Sequence, residues 1–138
     1  MKANKIKVRH IYYVNFEPTR KGEFPSKHLT IVLRKNHDKI TFVVLPLTGS
    51  SAGDGINKVK LGKIPSLPTH LQKKISYAVL DQIRTISYTR FEDLTEDGKI
   101  VESVLEKEDF DKIMAAIFTI FLKGLDKEEK KDILKMVD

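Results

Sequence analysis

The sequence predicts a mainly β fold of the α+β class. We expect a small, curled, mostly antiparallel β-domain closed by a C-terminal α-helix, with a short extra helix at the end. Runs of β-branched and aromatic residues, separated by turn residues, fill positions 5–90, and apolar residues at helical spacing follow only after about position 100. A length of 138 residues suits one domain. We therefore expect a single domain over 1–138, with its β part at about 5–90 and its helical segment at about 100–138.

Four stretches have the composition of strands, and they lie at residues 5–16, 29–33, 40–47 and 75–86. The polar turn at residues 34–39 predicts that the second and third strands form a hairpin. In the last stretch, strict alternation places Asp81 on one face with Val79 and Ile83, and Arg84 on the opposite face. Asp81 is therefore expected among apolar neighbours.

Long connections separate these strands. The loop at residues 17–25 contains two prolines and carries Arg20 and Lys21 near its middle. The segment at 49–55 (GSSAGDG) is polar and rich in glycine, and an irregular stretch follows it up to residue 70. Connections of this length in a compact domain are often functional loops.

The end of the chain predicts two helices. Between residues 109 and 122, apolar side chains recur at helical spacing, and Asp109 is the expected N-cap. Asp126, followed three residues later by Glu129, predicts a capping box for a last helix at about 127–137. The apolar stripe of the first helix is expected to pack on the core, and its width leaves apolar surface for a further partner. It consists of Phe110, Ile113, Met114, Ile117 and Phe121.

Composition narrows the function classes. The chain contains no cysteine, which excludes thiol nucleophiles, thiolate zinc sites and disulfides. We expect a soluble cytoplasmic protein, because no run is apolar and long enough for a secretory signal or a membrane span. The net charge of +6 is unevenly divided, since residues 1–90 carry 17 Lys and Arg against 5 Asp and Glu. This indicates a polyanionic partner for the β part, unless the charges form an ordinary solvated surface.

Familiar cofactor motifs are missing from the sequence. No GxxxxGK[ST] or GxGxxG pattern follows a predicted strand. The four histidines show no HxxxH or HExxH spacing. We therefore expect neither a metal ion nor a cofactor, and generic motifs alone lead only to a basic β-domain.

Four stretches, in this order, resemble the MazF/PemK family of toxin ribonucleases from bacterial toxin–antitoxin pairs. The most specific is LDQIRTI at residues 80–86, which follows LPTH at 67–70. The others gain weight from their order, and the resemblance extends over roughly residues 5–122. They are VNFEPT at 14–19 with Gly22-Glu23, KHLTIVL at 27–33, and VVLPLT at 43–48.

The resemblance implies an SH3-like β-barrel that pairs as a homodimer and binds RNA near the dimer interface. It also implies a metal-independent, sequence-selective endoribonuclease that acts on single-stranded mRNA and is neutralised by a cognate antitoxin. In that chemistry the 2′-hydroxyl of the RNA attacks the adjacent phosphate, which leaves a 2′,3′-cyclic phosphate and a 5′-hydroxyl. The apolar surface of the first helix is then a candidate cover for the dimer or for an antitoxin helix.

The resemblance also suggests catalytic residues. Lys27 lies where the family usually has a catalytic arginine, and a lysine can stabilise a phosphorane as a point charge. The Thr48 hydroxyl is expected to hydrogen-bond a phosphate oxygen or to position the attacking hydroxyl. Asp81 matches a position that is acidic in parts of the family, and it acts either as a base or as an ion-pair partner of Arg84. Glu23 is a candidate for orienting a base or a cation.

Further residues are expected to bind substrate. They are Arg20, Lys21, Ser50, Ser51, His70 and Arg84. Arg20 can supply the guanidinium that Lys27 lacks, and His70 can serve as a general acid or simply pack beside Pro68. Arg84 can instead brace the barrel or the dimer.

Two alternatives remain open at this point. Lys27 in the arginine position, and His28 in the usual proline position, are compatible with a catalytically weak member that binds RNA or antitoxin without cleavage. The same barrel also serves CcdB-like toxins, which poison DNA gyrase.

Overall fold

The structure is a computed structural model that describes residues 1–17, 27–49, 57–72, 75–123 and 125–136. Within them it contains ten strands and two α-helices. The strands are β1 (His10–Asn15), β2 (Lys27–Lys35), β3 (Thr41–Thr48), β4 (Lys58–Gly62), β5 (Ser76–Val79), β6 (Arg84–Ser87), β7 (Phe91–Glu92), β8 (Leu94–Glu96), β9 (Lys99–Val101) and β10 (Ser103–Val104). The helices are α1 (Lys107–Leu122) and α2 (Lys127–Met136), and short 3₁₀ turns lie at Ala3–Lys5, Thr69–Leu71, Leu80–Gln82 and Tyr88–Arg90.

The main sheet is antiparallel and runs in the order β10-β1-β2-β3-β5-β4. In addition β6 pairs with β3, β7 pairs with β1, and β8 and β9 form a separate hairpin. The predicted mainly β, antiparallel architecture and the hairpin of β2 and β3 are therefore confirmed. The predicted closure into a barrel is not observed, because among the described strands the edges β10 and β4 do not pair with each other.

The sheet is covered on both faces. Leu45 and Val44 are consecutive residues of β3, so their side chains point to opposite faces, and both are fully buried. Leu45 belongs to a cluster that also contains Ile113 of α1, whereas Val44 belongs to a cluster around Phe42 and Phe91. Helix α1 thus closes the first cluster, as the apolar periodicity of its sequence predicts.

The stretch at residues 75–86 is not one strand, which corrects the prediction. Leu47 and Val44 are three positions apart in β3, whereas their partners, Ala78 and Arg84, are six positions apart. The 3₁₀ turn Leu80–Gln82 takes up the excess. Asp81 lies in that turn, so the alternation that placed it on one strand face is wrong.

The helix boundaries also differ from expectation at one end. Helix α1 begins at Lys107 with Glu106 as its N-cap, so Asp109 lies in the first turn and is not the predicted cap. The capping box of α2 is confirmed, since the Glu129 N–H donates to Asp126 Oδ1 at 2.8 Å and the Asp126 N–H donates to Glu129 Oε1 at 3.2 Å. Neither described helix combines the length and the apolar character that a bilayer span needs.

Candidate functional site

A cleft of about 470 Å³ opens where the first residues of β2 meet the last residues of β3. Because these strands are antiparallel and Thr30 pairs with Pro46, the residues that precede Thr30 and the residues that follow Pro46 lie at the same end of the strand pair. The 3₁₀ turn Thr69–Leu71 forms another wall of the cleft. The residues that line it are Lys27, His28, Leu29, Leu47, Thr48, Gly49, His70, Leu71 and Ser76.

Three of the predicted site residues therefore meet in one place. Lys27, Thr48 and His70 come from three separate segments of the chain, and each lines this cleft. Lys27 and His70 are exposed, and Thr48 is half-buried at the end of β3, where it pairs with Tyr77 of β5. The fold thus assembles a cation, a hydroxyl and an imidazole around one cavity.

The Lys27 ammonium is already engaged by the protein. Lys27 Nζ forms an ion pair with Glu92 Oε2 and lies 5.3 Å from the centroid of the Tyr13 ring. The two side chains of the ion pair retain 48% and 55% of their exposure, so the contact is open to solvent. Sequence reasoning missed Glu92 and Tyr13, because only the pairing of β7 with β1 brings Glu92 beside Tyr13.

The turn that carries His70 is anchored from outside the cleft. The Thr69 N–H donates a hydrogen bond to Glu96 Oε1 at 2.9 Å, and the Leu71 N–H donates to Pro68 O at 2.8 Å. Hydrogen bonds from the Thr69 hydroxyl and backbone N–H, together with the nearby charge of His70, hold the pKa of Glu96 below its usual value. The hairpin of β8 and β9 therefore positions the wall that presents His70.

Asp81 and Arg84 lie elsewhere. Asp81 borders a second, mainly apolar pocket of about 220 Å³ between its own turn and α1, lined also by Leu80, Ile83, Ile117, Ile120 and Phe121. The Arg84 guanidinium stacks over the Phe16 ring at 4.9 Å and donates to Gln82 Oε1 at 3.4 Å. The structure brings neither side chain to the cleft that contains Lys27.

The other predicted site residues are Arg20, Lys21, Glu23, Ser50 and Ser51, and they lie outside the described residues. In the sequence they belong to the two segments that join β1 to β2 and β3 to β4. Both segments connect directly to strand ends at the cleft, namely the first residue of β2 and the end of β3.

The chemistry of the cleft suits an anionic ligand that also has an apolar part. The Lys27 ammonium offers three hydrogen-bond donors and a positive charge, and the Thr48 hydroxyl can donate as well. Leu29 and Leu47 add apolar side chains to the lining of the cleft. Among the described residues, no group of three or more His, Asp or Glu side chains is arranged to hold a metal ion.

The chain is similar to a known protein family and to a solved structure. Residues 7–121 match the family model described as the PemK-like, MazF-like toxins of type II toxin–antitoxin systems. The fold is similar to the crystal structure of MazF (form I) from Deinococcus radiodurans, with a TM-score of 0.58, 16% sequence identity, and coverage of 84% of this chain and 96% of that chain. Among curated proteins, none matches this chain in sequence. Because the family model covers well over half of its length, the chain belongs to the PemK-like, MazF-like toxins of type II toxin–antitoxin systems.

Proposed function

We propose that this protein is an endoribonuclease toxin that cleaves single-stranded mRNA without a metal ion. The observation that carries the proposal is the convergence of Lys27, Thr48 and His70 on one cleft in a chain of this family. Such a cleft can bind a phosphate and leave the RNA to supply its own nucleophile. An mRNA substrate implies that the protein acts in the cytoplasm.

In the proposed reaction, the 2′-oxygen of a nucleotide loses its proton and forms a bond to the adjacent phosphorus. The bond from phosphorus to the 5′-oxygen then breaks, and that oxygen takes up a proton. The products are a 2′,3′-cyclic phosphate and a 5′-hydroxyl. The protein has to stabilise the extra negative charge on the phosphorane and assist both proton transfers.

The described residues divide these tasks. Lys27 stabilises the phosphorane, because a positive charge at the transferring phosphate favours the transition state over the ground state. Thr48 donates a hydrogen bond to a phosphate oxygen, and His70 protonates the leaving 5′-oxygen. We assign Asp81 a structural role at the turn that contains it, since it borders a different pocket.

The remaining candidates are proposed as contacts with the substrate. Glu23 is the proposed base or orienting carboxylate, and Arg20 and Lys21 are proposed to bind neighbouring phosphates. Ser50 and Ser51 follow the end of β3 after Gly49 in the sequence and are proposed to contact the RNA near Thr48. Arg84, which stacks on Phe16, is proposed to brace the sheet rather than to bind RNA.

The proposed partners follow from the family. A type II system pairs the toxin with an antitoxin protein, and we propose that the antitoxin competes with RNA for this chain. We also propose that the protein acts as a homodimer. The exposed side chains of α1 offer apolar surface for contact with the antitoxin or with the second copy of the chain. They are Met114, Phe118 and Phe121.

The direct test is to incubate the purified protein with a long single-stranded RNA in the presence of EDTA. Discrete fragments that end in a 2′,3′-cyclic phosphate are the expected result, and a Lys27→Ala protein prepared in the same way is the control. Binding of RNA without cleavage across diverse sequences would select the catalytically weak alternative. Intact RNA together with inhibition of DNA gyrase would select the CcdB-like alternative.

A further inference from the structure

We propose that Glu92 is an internal competitor for the phosphate of the RNA. In the cleft without RNA, the Glu92 carboxylate forms an ion pair with the Lys27 ammonium. A phosphate of bound RNA displaces that carboxylate. Glu92 thereby sets the affinity of the site for RNA. The inference rests on the proposed function, in which Lys27 contacts a phosphate.

The strand pairing explains why these two side chains meet. Tyr13 of β1 pairs with Leu29 of β2 on one side and with Glu92 of β7 on the other. Lys27 lies two residues before Leu29, on the same face of β2, and its side chain passes over the Tyr13 ring to reach Glu92. The ammonium is therefore drawn toward β7.

Thr48 and Glu92 lie on opposite sides of β2, so the direction of the Lys27 side chain decides which of them the ammonium can approach. Thr48 belongs to β3, which pairs with β2 on the side opposite to β1. To serve a phosphate that also contacts Thr48, the Lys27 ammonium has to leave Glu92 and turn across the cleft. Lysine is suited to this movement, because its charge sits on a flexible four-carbon chain.

The exposure of the ion pair makes displacement possible. Both side chains are about half-exposed, and ion pairs of this kind are weak because water screens them. A phosphate presents a negative charge on several oxygens that accept hydrogen bonds, so it competes well with a carboxylate. No desolvated charge is left behind when Glu92 is released, because its carboxylate then faces water.

The competition has a measurable effect on salt dependence. While Glu92 is present, salt weakens the Lys27–Glu92 ion pair that the RNA has to displace as well as the Lys27–phosphate contact that replaces it, so the two effects of salt at this position largely cancel. In Glu92→Gln, which keeps the size of the side chain, Lys27 neutralises one phosphate. The slope of log K against log salt should then become steeper by about 0.7, the value expected for one phosphate of a single strand.

The experiment measures binding of a fluorescent 2′-O-methyl single-stranded RNA, which lacks the attacking hydroxyl, by anisotropy at several salt concentrations. Glu92→Gln should lower Kd about twofold to fivefold at low salt, in keeping with a half-exposed ion pair. With cleavable RNA it should lower KM by a similar factor and leave kcat nearly unchanged. Circular dichroism verifies that the variant is folded.

Two matched controls isolate the ion pair. Glu102→Gln removes the same charge from the exposed pair of Lys7 and Glu102, whose atoms are 3.4 Å apart and which does not line the described cleft. Its Kd and salt slope should change much less than those of Glu92→Gln. In a Lys27→Ala background, Glu92→Gln should have no further effect, since the two changes act through one contact.

Several outcomes would overturn the role of Glu92. Weaker binding or a lower kcat in Glu92→Gln would show that the carboxylate supports Lys27 instead of competing with RNA. If Glu102→Gln has an equal effect on binding, or if the effect of Glu92→Gln persists without Lys27, the change in binding reflects only the net charge of the protein. If the wild-type protein neither binds nor cleaves RNA, the proposed function fails, whereas tight binding that Glu92→Gln leaves unchanged refutes only this inference.

Discussion

The Glu96 carboxylate accepts a hydrogen bond from the Thr69 backbone N–H at 2.9 Å. Glu96 ends β8 and Thr69 begins the 3₁₀ turn of the cleft, so the bond joins two elements that are distant in sequence. The next residue of the turn is His70, our candidate proton donor. The position of that imidazole therefore depends on the charge state of a carboxylate outside the cleft.

The first prediction is a pH dependence of this anchor. Hydrogen bonds from Thr69 lower the pKa of Glu96 in the folded protein below its ordinary value of 4.5. The stabilisation is then fully present above that value and is lost as the pH falls through the lower folded-state pKa. Glu96→Gln should lower Tm relative to wild type at pH 7, and the difference should shrink toward pH 3.

A local measurement distinguishes this anchor from a general charge effect. Amide hydrogen exchange at Thr69 should be faster in Glu96→Gln than in wild type at neutral pH, because the charged acceptor of its N–H is gone. Exchange in β2 and β3 should rise only as much as the lower global stability requires, and less than exchange at Thr69. An unchanged rate at Thr69 would contradict the anchoring role of Glu96.

The second prediction concerns the charge at position 27. Lys27→Ala should lower kcat/KM for RNA cleavage by about 10²–10³-fold, the usual cost of removing one group that stabilises charge in a transition state. Lys27→Arg should retain activity, because a guanidinium offers two parallel donors to phosphate oxygens. The control is Lys7→Ala, which removes an equal charge from the exposed pair with Glu102. Equal losses in Lys7→Ala and Lys27→Ala would contradict a specific role.

The third prediction separates the two pockets. Thr48→Val keeps the branched shape of the side chain but removes its hydroxyl, and it should lower kcat by about tenfold or more through the lost hydrogen bond to phosphate. Asp81→Asn should leave kcat within about twofold, because Asp81 borders the apolar pocket at α1. Cleavage of one RNA under saturating conditions tests both variants. A large loss of kcat in Asp81→Asn would restore Asp81 to the catalytic residues.

Local patterns predicted part of this fold, but they missed the short strands β7 to β10, which extend the β part beyond the expected residue 90, and they could not supply long-range register. Strands β1, β2 and β3 and both helices follow from hydrophobic periodicity and turn residues, which act within a few positions of the chain. The break at Leu80–Gln82 arises because β5 and β6 pair with different parts of β3. The alternation of side chains within residues 75–86 contains no information about where β5 and β6 pair along β3.

The candidate site was likewise predictable only in part. Lys27, Thr48 and His70 were suggested by a family resemblance, and the fold brings all three to one cleft. Glu92 could not be suggested in this way, because it lies in an acidic part of the sequence and approaches Lys27 only through the pairing of β7 with β1.

The fourth prediction concerns the two sides of α1. Ile113 is completely buried in the cluster that contains Leu45, whereas Phe121 on the same predicted stripe is 68% exposed. Ile113→Ala should lower the free energy of unfolding by about 2–5 kcal/mol, through lost transfer energy and the cavity left behind. Phe121→Ala should change it by less than about 0.5 kcal/mol.

Urea denaturation of dilute protein provides the measurement, and equal m-values would show that both variants unfold from similarly compact states. The comparison also tests whether the outer surface of α1 is free in solution. If Phe121→Ala destabilises the protein as strongly as Ile113→Ala, Phe121 is covered by another chain. A homodimer makes the unfolding midpoint rise with protein concentration whichever surface pairs, so coverage of Phe121 is tested by comparing that concentration dependence between wild type and Phe121→Ala. The same concentration dependence in the two proteins, together with a small effect of Phe121→Ala, is the result expected of an uncovered Phe121.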